Sequence, residues 1–185
     1  MKKVYVSNKT EMVLGSLYNI HEGHLLYDSF YEVEVEDDVH VHVSDHAIVY
    51  DNALVYGQAK VRGYAWVRGF AQVFGEAKVH GNAVISGNAK VFGHAEVAEF
   101  AWVKGFAQVF GNAEVYGTSR VYGDAKVFGY AKVYGDADIY DNTWVYGDAE
   151  LYGTVKVYGN ARIADKNKFM HLHEFMNMKT LVKLQ

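Results

Sequence analysis

The sequence predicts an all-β fold, a single-stranded β-solenoid in which very short strands stack around one narrow apolar core. Two observations carry this expectation. From Ala47 to Asp165 the chain repeats every six residues, twenty times over without insertion or deletion, as in Ala47, Val49, Asp51; Ala53, Val55, Gly57; Ala59, Val61, Gly63. Over the same stretch every odd position is small, aliphatic or a turn residue, whereas every aromatic residue stands at an even position. Strict alternation is a strand period of two, with the odd residues facing inward. A helix would not keep this parity, and its many glycines would weaken it badly.

The first element is a small β-rich cap over residues 1–40. Here the hexad is lost, but strand-like pieces remain at Lys3 to Val6 and Tyr31 to Val35, around Gly15 and Gly23. A solenoid leaves unpaired strand edges at its first coil, and such edges invite association unless something covers them. The acidic run Glu32, Glu34, Glu36, Asp37 and Asp38 suits a solvated strand edge that discourages pairing.

The second element is the solenoid proper, residues 41–166. Asp51, Glu99, Asp141 and Asp165 replace glycine at the third odd position, which marks it as a corner. The segment Ala65 to Gly75 recurs 36 residues later as Ala101 to Gly111, with Trp66 and Trp102, Phe70 and Phe106, and Phe74 and Phe110 in register. Six hexads then make two triangular coils of three, so equivalent faces recur every 18 residues. Twenty hexads give nearly seven coils and, at ~4.8 Å per stacked strand, a rod of ~30 to 35 Å.

The third element, residues 167–185, is expected to be a capping or oligomerisation helix, because Phe169, Leu172, Phe175, Met178, Leu181 and Leu184 recur every three residues.

The pattern Val-x-Gly-x-Ala-x, as in Val121-Tyr122-Gly123-Asp124-Ala125-Lys126, resembles the hexapeptide-repeat, left-handed β-helix family, whose best-known members are trimeric acyltransferases. The resemblance implies the left-handed winding, which a period of eighteen does not fix. It is poor evidence for activity, since the repeat builds the wall and chemistry is grafted elsewhere. Gly15-Ser16-Leu17-Tyr18-Asn19-Ile20 also resembles the N-terminal cap of repeat proteins common in bacteria and phages.

Composition narrows the function. A formal charge of −4, with Lys and Arg scattered among Asp and Glu, offers no basic stripe for nucleic acid. The chain has no cysteine, which removes disulfides and thiol chemistry, and no proline, so its turns rely on Gly, Asp and Asn. No apolar run reaches signal-peptide or membrane-span length, from which a cytoplasmic protein without membrane contact is expected.

Sorting even positions by 18 places Tyr56, Phe74, Phe92, Phe110, Phe128 and Tyr146 in one outward column. Two readings compete: rings that stack within the chain, and a face shared between copies in a trimer or dimer. Six rings each hiding ~100 Å² would remove ~600 Å² from water, ~15 kcal/mol gross, which favours the interface. Two shorter tyrosine columns, Tyr122, Tyr140, Tyr158 and Tyr116, Tyr134, Tyr152, widen the aromatic surface toward the C-terminal half.

The histidines give the catalytic alternative. The resemblance implies a His base near a subunit interface acting on an acyl-coenzyme A, and His80 and His94 stand at outward positions for it. Against this, the family's enzymes commonly wall their donor pocket with loops inserted between coils, and this chain has none. His40, His42 and His46 have a spacing suited to a metal on one strand face; His171, His173 and Glu174 are similarly spaced, but only the first cluster lies where a strand is expected, and chance and a solvated edge explain both as well. Thr118, Thr143 and Thr154 form no flat threonine ladder, which removes ice binding. The expectation is a non-enzymatic, self-associating rod without a cofactor that presents a surface to a protein partner, such as a host protein blocked by a phage-type inhibitor.

Overall fold

The computed structural model describes residues 45–49 and 51–164, together with the strand segments Lys2–Val6, Met12–Val13, Tyr31–Val35, His42–Val43 and Lys168–Phe169. The fold is an all-β parallel solenoid of about six turns. Each six-residue repeat contributes a two-residue strand, an outward residue followed by an inward aliphatic one, and then turns a corner. Three consecutive repeats close one triangular coil.

The three faces are three parallel sheets. The first runs from Ile48–Val49 through Trp66–Val67, Val84–Ile85 and Trp102–Val103 to Lys156–Val157, seven strands in all. The second, also of seven, runs from Leu54–Val55 to Arg162–Ile163. The third runs from His42–Val43 through Lys60–Val61 to Lys168–Phe169. In every parallel pair residue i faces i+18, so each residue sits above its equivalent. Backbone bonds tie the coils together, as Trp66 N to Ala83 O and Arg68 N to Ile85 O, both 2.9 Å.

The core is a column of Ala and Val at odd positions, nearly all of them fully buried. Leu151, Ile85, Ile139 and Ile163 substitute for Val without breaking the column. Ser119 and Thr143 take Ala positions and are fully buried, yet each hydroxyl donates to the carbonyl three residues back, to Tyr116 at 2.8 Å and Tyr140 at 2.7 Å. A buried hydroxyl with its partner in place avoids the ~1–3 kcal/mol cost of an unsatisfied group.

The corners explain both the glycines and their replacements. The third odd residue has positive φ, 72° at Gly105, a region that L side chains avoid. Asp45, Asp51, Glu99 and Asp141 hold the same conformation at φ 57–62°. Each offsets the strain in one way: its carboxylate accepts the backbone N–H of the glycine one coil on, at 3.0–3.1 Å. Asp165 lies outside the described residues.

At the N-terminal end, Lys2–Val6 pairs antiparallel with Tyr31–Val35, the two pieces read as strands from sequence. Met12–Val13 pairs antiparallel with His42–Val43 and so covers the exposed edge of the third sheet. At the other end, Lys168–Phe169 is a further strand of that sheet, paired with Glu150–Leu151. Strand pairing therefore passes the boundary expected at 166, because the backbone of Lys168 and Phe169 continues the register of Glu150 and Leu151. The rest of the expected helix, 170–185, lies outside the described residues, as does most of 1–40. Among the described residues no helix is long and apolar enough to cross a membrane.

Candidate functional site

Because coils stack in register, every outward side chain belongs to a column that runs along the rod. The column Tyr56, Phe74, Phe92, Phe110, Phe128, Tyr146 is continuous. Successive ring centroids are 4.8 Å apart and within 2° of parallel from Tyr56 to Phe128, and 5.2 Å and 8° at Tyr146. Each inner ring thus spends both faces on its neighbours, and all six are half-buried. The two tyrosine columns do the same, at 4.9 and 5.2 Å. The aromatic widening toward the C-terminal half is a widening of stacked rings. Burial raises the phenol pKa of Tyr116 and Tyr122. Burial, followed by the 2.5 Å bond that Tyr134 donates to Glu150, raises that of Tyr134 as well.

The most exposed rings lie elsewhere. Tyr64, Trp66 and Phe70, and their equivalents Phe100, Trp102 and Phe106, are 43–61% exposed, and Tyr130 is 65% exposed. The first six form two ridges, two coils apart, that cross the first face from its corner with the third, at Tyr64 and Phe100, to its corner with the second, at Phe70 and Phe106. Between the ridges the intervening coil carries Asn82, Val84 and Asn88, with Val84 in register between Trp66 and Trp102. The signal for this surface was the 36-residue recurrence, which marks alternate coils as alike and the coil between them as different.

An open groove of about 850 Å³ runs along the second face beside one corner, walled by Phe70, Phe106 and Asp124 and floored by Gln72, Lys90 and Lys126 among others. Lys126 and Arg162 both lie over the ring of Trp144, at 5.1 and 4.3 Å from its centroid. The third face is charged and largely self-neutralised, through Glu114 with Lys132 at 2.9 Å and Glu96 with Lys78 at 3.9 Å. On the first face Arg120 grips Asp138 with two bonds, 2.7 and 3.0 Å.

The histidines do not meet. His80 Nε2 lies 2.9 Å from Glu96 Oε1, and His94 Nδ1 lies 3.3 Å from Glu76 Oε2. Neither lines the groove. His80 borders a recess of about 160 Å³ formed where Ala98 interrupts a column of larger side chains, between His80 and Tyr116. His46 stacks on Tyr64 at 4.7 Å; His40, His171, His173 and Glu174 lie outside the described residues. Among those residues no group of three or more His, Cys, Asp or Glu could hold a metal ion.

What the site offers chemically is therefore apolar and aromatic area on a stiff frame, with two carboxylate-paired imidazoles set apart from it. No family model matches the chain, and no curated protein matches it significantly.

Proposed function

We propose that this protein is a non-enzymatic, left-handed β-solenoid that self-associates and serves inside cells as a protein-binding or scaffolding module. The observation that supports it best is the pair of exposed aromatic ridges, Tyr64 to Phe70 and Phe100 to Phe106. Large apolar rings clustered in this way mark interaction surfaces more often than they mark idle exterior. The stacked column from Tyr56 to Tyr146 stiffens the rod and presents its ring edges to the same partners. A host protein blocked by the rod is the partner class that the phage-like Gly15 to Ile20 segment favours.

The test is solution mass by light scattering on a sizing column over a range of concentrations. A defined multiple of the 20.8 kDa chain is expected. A single-chain mass at every concentration would refute self-association.

One observation favours a second reading, a hexapeptide acyltransferase with its active site between subunits: the His80–Glu96 pair has the geometry of an oriented general base. Titration calorimetry of the assembled protein with acetyl-coenzyme A decides it. Saturable binding lost in His80→Ala would establish an acyl-donor site, whereas the absence of heat would remove the enzyme.

A further inference from the structure

The two exposed ridges and the low coil between them have the form of a zipper. In the fully stacked columns adjacent rings are 4.8 Å apart and leave no space between them. On the first face the equivalent rings skip a coil. Trp66 and Trp102 both pair with Val84, and Tyr64 and Phe100 flank Asn82 in the same way through the bonds Tyr64 N to Gly81 O and Asn82 N to Glu99 O. The rings of the two ridges are thus about 9.6 Å apart, twice the coil spacing. That gap has the height of one further ring.

We infer that the first face is a dimer interface in which the second copy inserts its Phe100–Trp102 ridge into the gap above Asn82 and Val84, and receives the same ridge in return. This rests on the self-association proposed above and names its partner and geometry. Symmetry selects the arrangement. A twofold axis along the rod would set each coil against itself, Trp66 on Trp66, and a simple shift of parallel copies would repeat without end. A twofold axis across the rod, midway between the coil of Val84 and that of Trp102, brings ridge to gap in both directions and closes. The same register sets Arg120, ion-paired to Asp138, on the coil opposite Trp66.

The area fits such a pair. The six ridge residues are 43–61% exposed. Taking about half of the ~150–250 Å² that an aromatic side chain carries gives roughly 600 Å² per copy, or about 1,200 Å² for two. That reaches the lower bound of stable, specific interfaces before Ile48, Val84 and the flanking polar side chains are counted.

Filling the gap is the decisive perturbation. Val84→Trp would complete the column from Trp66 to Trp102, an arrangement the Phe column already tolerates, so the fold should survive. The expected result is a wild-type dimer, and a variant that melts within a few degrees of it but has a dimer dissociation constant raised at least tenfold. Asn82→Phe fills the same gap from the neighbouring column and decides the matter if Val84→Trp fails to fold. Trp102→Ala, which removes the ridge instead, should weaken the dimer as strongly. A wild-type trimer, or a dimer that both gap-filling variants leave intact, overturns the zipper while self-association stands. A wild-type monomer at all concentrations overturns both.

Discussion

At the corner shared by Asp51, Gly69, Gly87, Gly105, Gly123, Asp141 and Gly159, aspartate should be less harmful than alanine, although it is the larger residue. Gly105 has φ 72°, and a Cβ placed on it would lie 3.1 Å from Gly123 N and 3.2 Å from Gly123 O. Gly105→Ala and Gly105→Asp both carry that Cβ and the ~1–2 kcal/mol of left-handed strain, so those costs largely cancel in the comparison. Only the aspartate can place a carboxylate on the N–H of Gly123, as Asp51 does on Gly69 at 3.1 Å and Asp141 on Gly159 at 3.0 Å. A net hydrogen bond of this kind is worth ~0.5–1.5 kcal/mol. At ~2–4 °C per kcal/mol for a chain of this size, Gly105→Asp should melt a few degrees above Gly105→Ala, and both below the wild type. Thermal melts followed by circular dichroism at neutral pH would measure it. If Gly105→Asp melts with or below Gly105→Ala, the carboxylate bond does not offset corner strain, and the account of why four acidic residues occupy glycine corners fails.

Phe92→Ala should cost about 1–3 kcal/mol, since Phe92 stacks on both Phe74 and Phe110 at 4.8 Å and each such contact is worth ~0.5–1.5 kcal/mol. Phe106→Ala, at a ring 61% exposed, should stay within ~0.5 kcal/mol in the monomer; equal urea midpoints for the two would refute the division between stacked and exposed rings. Alkaline pH should destabilise the fold, because Tyr116, Tyr122 and Tyr134 have folded pKa values raised above the ordinary tyrosine value, foremost by burial. Lys132, held protonated by its bond to Glu114, acts with the same sign. These contributions are intact below the unfolded tyrosine pKa of ~10 and are lost as the pH rises from there through the folded values, so urea midpoints should hold at neutral pH and fall as the pH rises above about 10. A flat profile would contradict it, and Tyr134→Phe should flatten it in part.

The sequence by itself determined the wall of this protein. A six-residue period without insertions and a strict odd-even parity leave one way to bury the Ala and Val side chains, and corner glycines with acidic replacements follow from the turn that each repeat must make. The interval of eighteen then assigned each outward residue to its column. The tertiary structure alone decided how those columns behave. The six-ring column reads in sequence as a broad apolar face, but parallel strands held 4.8 Å apart bring the rings face to face, so that stacking covers their faces and leaves their edges outward. Phe100, Trp102 and Phe106 have no ring on the next coil in their columns, so exposure falls there instead. Pairs sixteen residues apart, His80 with Glu96 and Tyr134 with Glu150, were illegible because they join different columns on successive coils. Backbone register is a local, periodic property that a sequence pattern encodes; the lean of a side chain across the surface depends on the lengths and charges of its neighbours in three dimensions.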